Sequence, residues 1–268
     1  MVQILAGKLH KAGTNMDRIR VERDGPVRTV TLTRSEKRNA IDSAMLEALL
    51  DAFSEDPQQA DRVIVLRAEG PVFCAGMDLA ERLAKPITGS ASPIEPILEA
   101  IEHHPLPVVG VVQGDAIAGG NELALHCDFV VAATTARFGM SLAQIGLAPT
   151  WFLAKKLVEV AGPVASREIL LLGDPLSATR MLELGLISRI APGDELDRCA
   201  QVIIDRLAAN APLSLRAMKA LLVREMAFRD GVEHADIDAL VQAARSSADA
   251  QEGIAARLEK RAPVFKGE

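Results

Sequence analysis

A glutamate two residues after a pair of glycines carries the most chemistry in this chain. The stretch reads Ala118-Gly119-Gly120-Asn121-Glu122-Leu123-Ala124-Leu125-His126. A valine-rich run over 107–112 precedes it and a second apolar run over 129–133 follows. Both read as buried strands, and 122–126 has helix-forming composition. The glycines therefore sit where a strand hands over to a helix. There the backbone can take positive φ and a ligand can approach the main chain. The first amides of a helix lack intrahelical partners and attract negative charge. Such amides can hold a developing oxyanion, with Glu122 beside them as general acid or base. The same residues also suit a plain tight turn followed by a glutamate that complements the helix dipole. The stretch alone leaves both readings open.

Other chemistries are disfavoured by what surrounds it. Cys74, Cys127 and Cys199 are an odd number without paired spacing. They fit a reducing compartment and no disulfide framework, so a cytoplasmic location is expected. The five histidines are scattered, and the adjacent pair His103 and His104 has neither an i,i+4 partner nor a cysteine cluster, so no metal is expected. Glycine-rich dinucleotide and phosphate-loop signatures and a G-x-S-x-G elbow are missing. A net charge of −6 argues against a general nucleic-acid binder, although a local basic patch remains compatible with it. No apolar run has the length of a membrane span, so no membrane partner is expected either.

The positioning elements follow from periodicity. Strands are expected over 19–22 and 27–33 around a turn at 23–26, and again over 63–67. A helix capped by Asp42 or Ser43 places Met45, Leu46, Leu49, Leu50 and Phe53 at helical spacing. Another helix starts near Met77 and Asp78. Residues 84–96, rich in Pro, Ser, Thr and Gly, read as a mobile loop over a site, and 94–103 as a helix. Residues 136–149 read as loop. Helices over 152–160 and 164–172 are separated by Gly162-Pro163, and 177–184 is closed by Gly185. After a short strand at 186–190, helices are expected over 196–209, 212–229 and 236–246. With 268 residues and no tyrosine, small aliphatics must fill one large α/β core. The expected organisation is an extension over 1–15, a core over 16–205 and a C-terminal helical region over 206–268.

Five segments, in order, carry a family resemblance. They are Phe73-Cys74-Ala75-Gly76-Met77-Asp78-Leu79, the stretch from Ala118 to Asp128, Arg137-Phe138-Gly139, Gly173-Asp174-Pro175-Leu176-Ser177-Ala178, and Glu259-Lys260-Arg261-Ala262-Pro263-Val264-Phe265. Through them the chain resembles the crotonase, or enoyl-CoA hydratase/isomerase, superfamily. The resemblance implies a spiral of ββα units with a C-terminal helical region that builds homotrimers or homohexamers. It implies an acyl-CoA thioester as substrate, so that coenzyme A enters with the substrate and no separate cofactor is needed. The amides of Met77 and Gly119 would grip the thioester oxygen, with the Met77 side chain in the acyl pocket. Ala75, Asp78 and Leu79 fall in the stretch that touches CoA. Lys37, Arg38 and Lys260 fall near its phosphates, which suits cations.

One position departs from the family. Typical hydratases hold a water between two glutamates. One matches Glu122, and the other falls on Leu142, which can neither donate nor accept a proton. A drier pocket raises the Glu122 pKa. The resemblance then implies an enoyl-CoA hydratase or isomerase working through Glu122. The alternatives are an isomerase or other non-hydratase chemistry, or a non-catalytic acyl-CoA binding protein.

Overall fold

The computed structural model describes residues 13–16, 18–84 and 91–268. Strands β1 (Gly13–Met16), β2 (Ile19–Asp24) and β3 (Val27–Leu32) form an antiparallel meander. Then come α1 (Ser43–Ser54), β4 (Val63–Ala68), α2 (Leu79–Ala84), α3 (Glu95–His103) and β5 (Val108–Val112). The centre of the chain supplies β6 (Ala116–Ile117), α4 (Gly119–Leu125), β7 (Phe129–Ala133) and β8 (Arg137–Gly139). Next are α5 (Trp151–Arg167), β9 (Leu176–Ser177), α6 (Ala178–Glu183) and β10 (Arg189–Ala191). Four helices end the chain: α7 (Leu196–Ala209), α8 (Pro212–Met226), α9 (Ala235–Ser246) and α10 (Ala248–Glu259).

The larger sheet has the order β1-β2-β3-β4-β5-β7-β10, and every pair from β3 to β10 is parallel. Parallel strands need crossovers, and α1, α3 and α4 lie in the crossovers along the chain. Sheets of this kind are covered on both faces, which is why β5 reads as unbroken valine and glycine and is buried throughout. The second sheet, β6-β8-β9, has three short strands. It carries the junction between β6 and α4.

Polar contacts tie these layers together. Asp42 caps α1 by accepting the Met45 amide at 2.9 Å, and Arg18 and Arg34 hold the same carboxylate at 2.8 and 3.4 Å. Lys219 of α8 is buried. Its ammonium donates to Asp128 at 2.7 Å and to the carbonyls of Ile101 and Leu106 at 3.1 and 3.3 Å. A buried ammonium is stable only with such partners, so this contact fastens the C-terminal helices to the core. Elsewhere α8 and α9 turn apolar side chains outward, among them Leu213, Leu221, Leu222 and Leu240.

The structure departs from the sequence expectations at several places. Gly13 to Asn15 belong to β1, so the sheet starts within the last residues of the expected extension, while 1–12 lie outside the described residues. Most of the expected mobile loop at 84–96, residues 85–90, lies outside them too. The helix expected to start at Met77 or Asp78 begins at Leu79, because the Asp78 carboxylate accepts the amides of Ala80 and Glu81. At Gly162-Pro163 the expectation holds: Gly162, at φ +68°, separates two helical stretches within α5, and the missing N–H of Pro163 costs nothing there. Residues 168–172 wind as a wider π turn closed by Gly173. The strands β6, β8 and β9 and the helix α10 were not separately expected. Among the described residues, no helix is long and apolar enough to cross a membrane.

Candidate active site

Two backbone segments run side by side and build one wall of the site. Cys74 bridges to Ala116, its amide donating to Asp115 at 3.1 Å and its carbonyl accepting Ile117 at 2.9 Å. On the other side Ile41 bridges to Met77, donating to the Gly76 carbonyl and accepting the Asp78 amide, both at 2.8 Å. A parallel bridge of this kind turns the Met77 N–H away from Ile41. The chain then reaches Ala118, whose φ of 48° and ψ of −116° are unusual for a residue with a side chain. That conformation orients the peptide leading into Gly119. Strain of this kind persists only where surrounding structure holds it. Here the Ala118 amide is anchored on the Gly139 carbonyl at 2.7 Å.

Close approach explains the glycines. A Cβ on Gly120 would lie 2.3 Å from the Cys74 carbonyl oxygen, so only glycine lets α4 pack against that segment. Gly76 adopts φ +88°, and a Cβ there would lie 3.3 Å from the Gly119 nitrogen. The residues preceding Met77 and Gly119 are thus neighbours. Among the described residues, neither the Met77 nor the Gly119 N–H meets an acceptor. Both residues line an inner cavity of about 90 Å³.

Ile94, Leu142, Ile145, Leu147 and Leu153 make most of that cavity apolar, and Glu122 is its one carboxylate among the described residues. Glu122 is 7% exposed. Burial pushes its carboxyl up to about 8, the Glu95 charge adds to the rise, and Arg245 partly offsets it. Leu142 lines the same cavity, whereas the Gln144 amide donates to the Leu172 carbonyl and to Asp174 at 3.2 and 3.0 Å and lines no part of it. His126 is core packing, as expected: it stacks on Phe152 at 5.6 Å, and its Nδ1 lies 2.8 Å from the Glu122 carbonyl oxygen. Burial, then the Lys156 charge, holds it down to about 4. Burial pushes the Cys74 thiol up to about 12, far from nucleophilic.

The cavity joins an outer cleft of about 1020 Å³. Ala75, Met77, Leu79 and Ile117 line both spaces. Lys37 and Arg38 line the cleft, together with Asp78, Arg137 and Arg257. Asp78 is engaged within the chain: burial raises its pKa, but bonds from Arg34 at 2.8 Å and from the Glu81 and Ala80 amides outweigh that and lower it. Lys260 lines neither space. It caps α10 in a left-handed conformation with φ 58°. The structure thus brings Glu122, Met77, Gly119, Ala75, Leu79 and Leu142 to one cavity, sets Lys37, Arg38 and Asp78 in the adjoining cleft, and leaves Lys260 aside. Sequence reading missed Arg82, Arg245 and Arg257, which also line the inner cavity. Each is the single arginine of its helix, and only the tertiary fold brings the three to one space.

Comparison with known proteins finds relatives over nearly the whole chain. A family profile described as enoyl-CoA hydratase/isomerase matches residues 22–268. A putative enoyl-CoA hydratase of Thermus thermophilus is 36% identical over 259 residues, covering 92% of this chain and all of the relative. Enoyl-CoA isomerase/hydratase fer4 of Mycosarcoma maydis is 32% identical over 255 residues, covering 89% of this chain and 92% of its own. Among solved structures, methylmalonyl-CoA decarboxylase in complex with 2-nitronate-propionyl-CoA superposes with a TM-score of 0.87 at 26% identity. The match spans 95% of this chain and all of that one.

Proposed function

Because the chain belongs to the enoyl-CoA hydratase/isomerase family and has the crotonase fold, we propose that its cavity stabilises the enolate of an acyl-CoA thioester, with Glu122 moving the proton. The thioester oxygen would sit between the Met77 and Gly119 amides. Negative charge develops on that oxygen when the α proton leaves. One preorganised donor is typically worth about 3 kcal/mol in such a site. The nucleotide end of CoA would lie in the outer cleft, where Lys37, Arg38, Arg137 and Arg257 supply positive charge. Lys260 would reach a bound CoA only through a neighbouring copy or a rearrangement, since it lies off both spaces. No separate cofactor enters this reading.

The reaction we favour is a shift of the double bond within an enoyl-CoA. The Glu122 carboxylate takes the α proton, the C–H electron pair forms a double bond between the α carbon and the thioester carbon, and the carbonyl π pair moves onto the oxygen. When the carbonyl reforms, the enolate π pair becomes the α–β double bond, the β–γ π pair takes the proton at the γ carbon, and Glu122 delivers that proton and is a carboxylate again. One observation supports this over hydration: Glu122 is the only carboxylate lining the inner cavity among the described residues, and Leu142 faces the same space. Syn hydration needs a group that activates water as well as a proton for the α carbon. Losing a positioned acid or base typically lowers such a rate by about 10²–10⁴-fold. Hydration by Glu122 alone is the second reading, favoured by relatives whose names include hydratase. A non-catalytic thioester-binding role is the third, and Leu142 is what favours it.

The test is incubation of wild type and Glu122→Gln with a 3-enoyl-CoA and with crotonyl-CoA in D₂O, followed by mass spectrometry. Conversion of the 3-enoyl thioester, lost in the variant, is the expected result. Gain of one water by crotonyl-CoA would move the assignment to hydration. Failure of either thioester to react or exchange would move it to binding. The reading also takes the outward apolar residues of α8 and α9 as the contact of a homotrimer, or of a hexamer made from two.

A further inference from the structure

The inner cavity carries more positive charge than a hydrocarbon chain needs. Arg82 of α2 and Arg245 of α9 both line it, and neither lines the outer cleft. An acyl group that entered past the residues shared by the two spaces would meet them inside the cavity. Arg245 is held in place by its Nε on the Ala148 carbonyl at 3.3 Å and its Nη1 on the Ala91 carbonyl at 3.2 Å. The Arg82 guanidinium has no hydrogen bond or ion pair with the described residues, its backbone amide alone donating to the Asp78 carbonyl. Burial, then the charge of Arg245, pushes Arg82 down to about 10.

The neighbouring acids do not balance this pair. Glu95 acts on both Arg245 and Glu122, and one of its oxygens is taken by the Ser92 amide at 3.0 Å. Glu122, at about 8, keeps its proton at neutral pH. Arg257 lines the cavity as well, but it is exposed and stands at the mouth shared with the cleft. Two guanidiniums thus line a space of about 90 Å³ whose one carboxylate among the described residues, Glu122, is pushed toward its protonated form. A neutral acyl chain filling that space would remove water from Arg82 and return no acceptor, which is the costly way to bury a cation. A guanidinium is also the side chain best shaped to take a carboxylate with two parallel bonds.

We propose that the acyl group of the bound thioester ends in a carboxylate, received by Arg82 with Arg245 beside it, so that the substrate class is short dicarboxylic acyl-CoA. This rests on the thioester reading above and narrows it. The chain must be short, since the cavity is well below the usual size of ligand pockets, about 300–1,000 Å³.

Calorimetric binding of two matched pairs tests it: glutaryl-CoA against pentanoyl-CoA, and adipyl-CoA against hexanoyl-CoA. These saturated thioesters cannot react as enoyl groups, so the result does not depend on the reaction assigned above. At pH 7 the wild type should bind the acid of at least one pair about tenfold or more tightly than its neutral partner. In Arg82→Leu that ratio should fall to about one, with free CoA binding unchanged. Arg82→Lys should keep part of it. Equal or weaker binding of both acids by the wild type overturns the proposal, as does a full preference surviving in Arg82→Leu. The wild-type ratio and the lysine variant still decide if the leucine variant does not fold. A carboxylate preference without turnover of any enoyl-CoA would instead reject the reaction and leave this inference standing.

Discussion

The Glu122 carboxyl is surrounded by aliphatic side chains and holds its proton past neutrality, up to about 8. That has consequences for stability and for rate. Below about pH 4.5 the group is protonated in folded and unfolded chains alike. Between there and about 8 only the folded chain keeps the proton, so the stability of the wild type falls as pH rises through that window. Glu122→Gln has nothing to titrate. Chemical denaturation of both proteins across pH 4 to 9 should therefore show the variant gaining on the wild type, by on the order of a few kcal/mol at the upper end. On the proposed isomerase reading Glu122 acts as a base and must start ionised, so the isomerisation rate should rise with pH through about 8. Glu95→Gln removes a charge that raises this pKa, and should move the midpoint of the rate profile to lower pH. At Leu142, the variant Leu142→Glu restores a second carboxylate. Hydration of crotonyl-CoA should increase by about tenfold or more, and the two carboxyls should titrate as a coupled pair. Unchanged hydration would mean that a carboxylate at this position does not reach the reacting water.

At the scale of the element, the junction from β6 to α4 is the most demanding part of the chain. Gly120→Ala would set a methyl group 2.3 Å from the Cys74 carbonyl oxygen. Neither backbone can yield without moving the Met77 and Gly119 amides. The variant should lose about 1–3 kcal/mol or more in thermal or chemical denaturation, and should bind an acyl-CoA less well even where it still folds. The glycines, the helix after them and the strands on either side were all readable from composition and periodicity. So was a cap at Asp42 or Ser43, because an acceptor before an amphipathic run has few other uses, and the structure decides for Asp42. The short strands β6, β8 and β9 were not. Each has two or three residues, too few for alternation to register, and each is made by pairing with distant segments. Helix α10 escaped for another reason. Its buried face consists of Ala250, Gly253, Ile254 and Ala256, small residues that carry little periodic signal. Gly253 is needed because a Cβ there would come within 2.4 Å of the Ile145 backbone.

For the whole molecule, legibility follows the same division. The α/β class and the strand-to-helix turn at Gly119 and Gly120 rest on local patterns and could be read. The arginines around the inner cavity come from α2, α9 and α10, and nothing in the sequence around Arg82, Arg245 or Arg257 says that they share a space. The C-terminal helices raise a related question about where the molecule ends. Lys219 anchors α8 inward on Asp128, yet Leu213, Leu221 and Leu222 of α8 and Leu240 of α9 are each more than 60% exposed. Leucines scattered singly over a surface need no explanation, whereas several on consecutive helices are what the proposed assembly would cover. Burying them between copies of the chain would remove apolar area from water at roughly 25 cal/mol per Å². On the trimer reading, sedimentation equilibrium at micromolar concentration should return three times the chain mass of 28.6 kDa, or six times for the hexamer. Leu221→Glu with Leu222→Glu places two charges in that contact. The double variant should sediment as a monomer while keeping its helical circular dichroism. A wild type that is monomeric throughout, or a double variant that stays assembled, would mean that α8 faces solvent or that the contact lies elsewhere. Activity of the monomeric variant then separates two roles for the assembly. Loss of CoA binding would mean that a neighbouring copy supplies part of the cleft, which is how Lys260 would reach the phosphates. Retained binding would mean that Lys37, Arg38, Arg137 and Arg257 suffice within one chain.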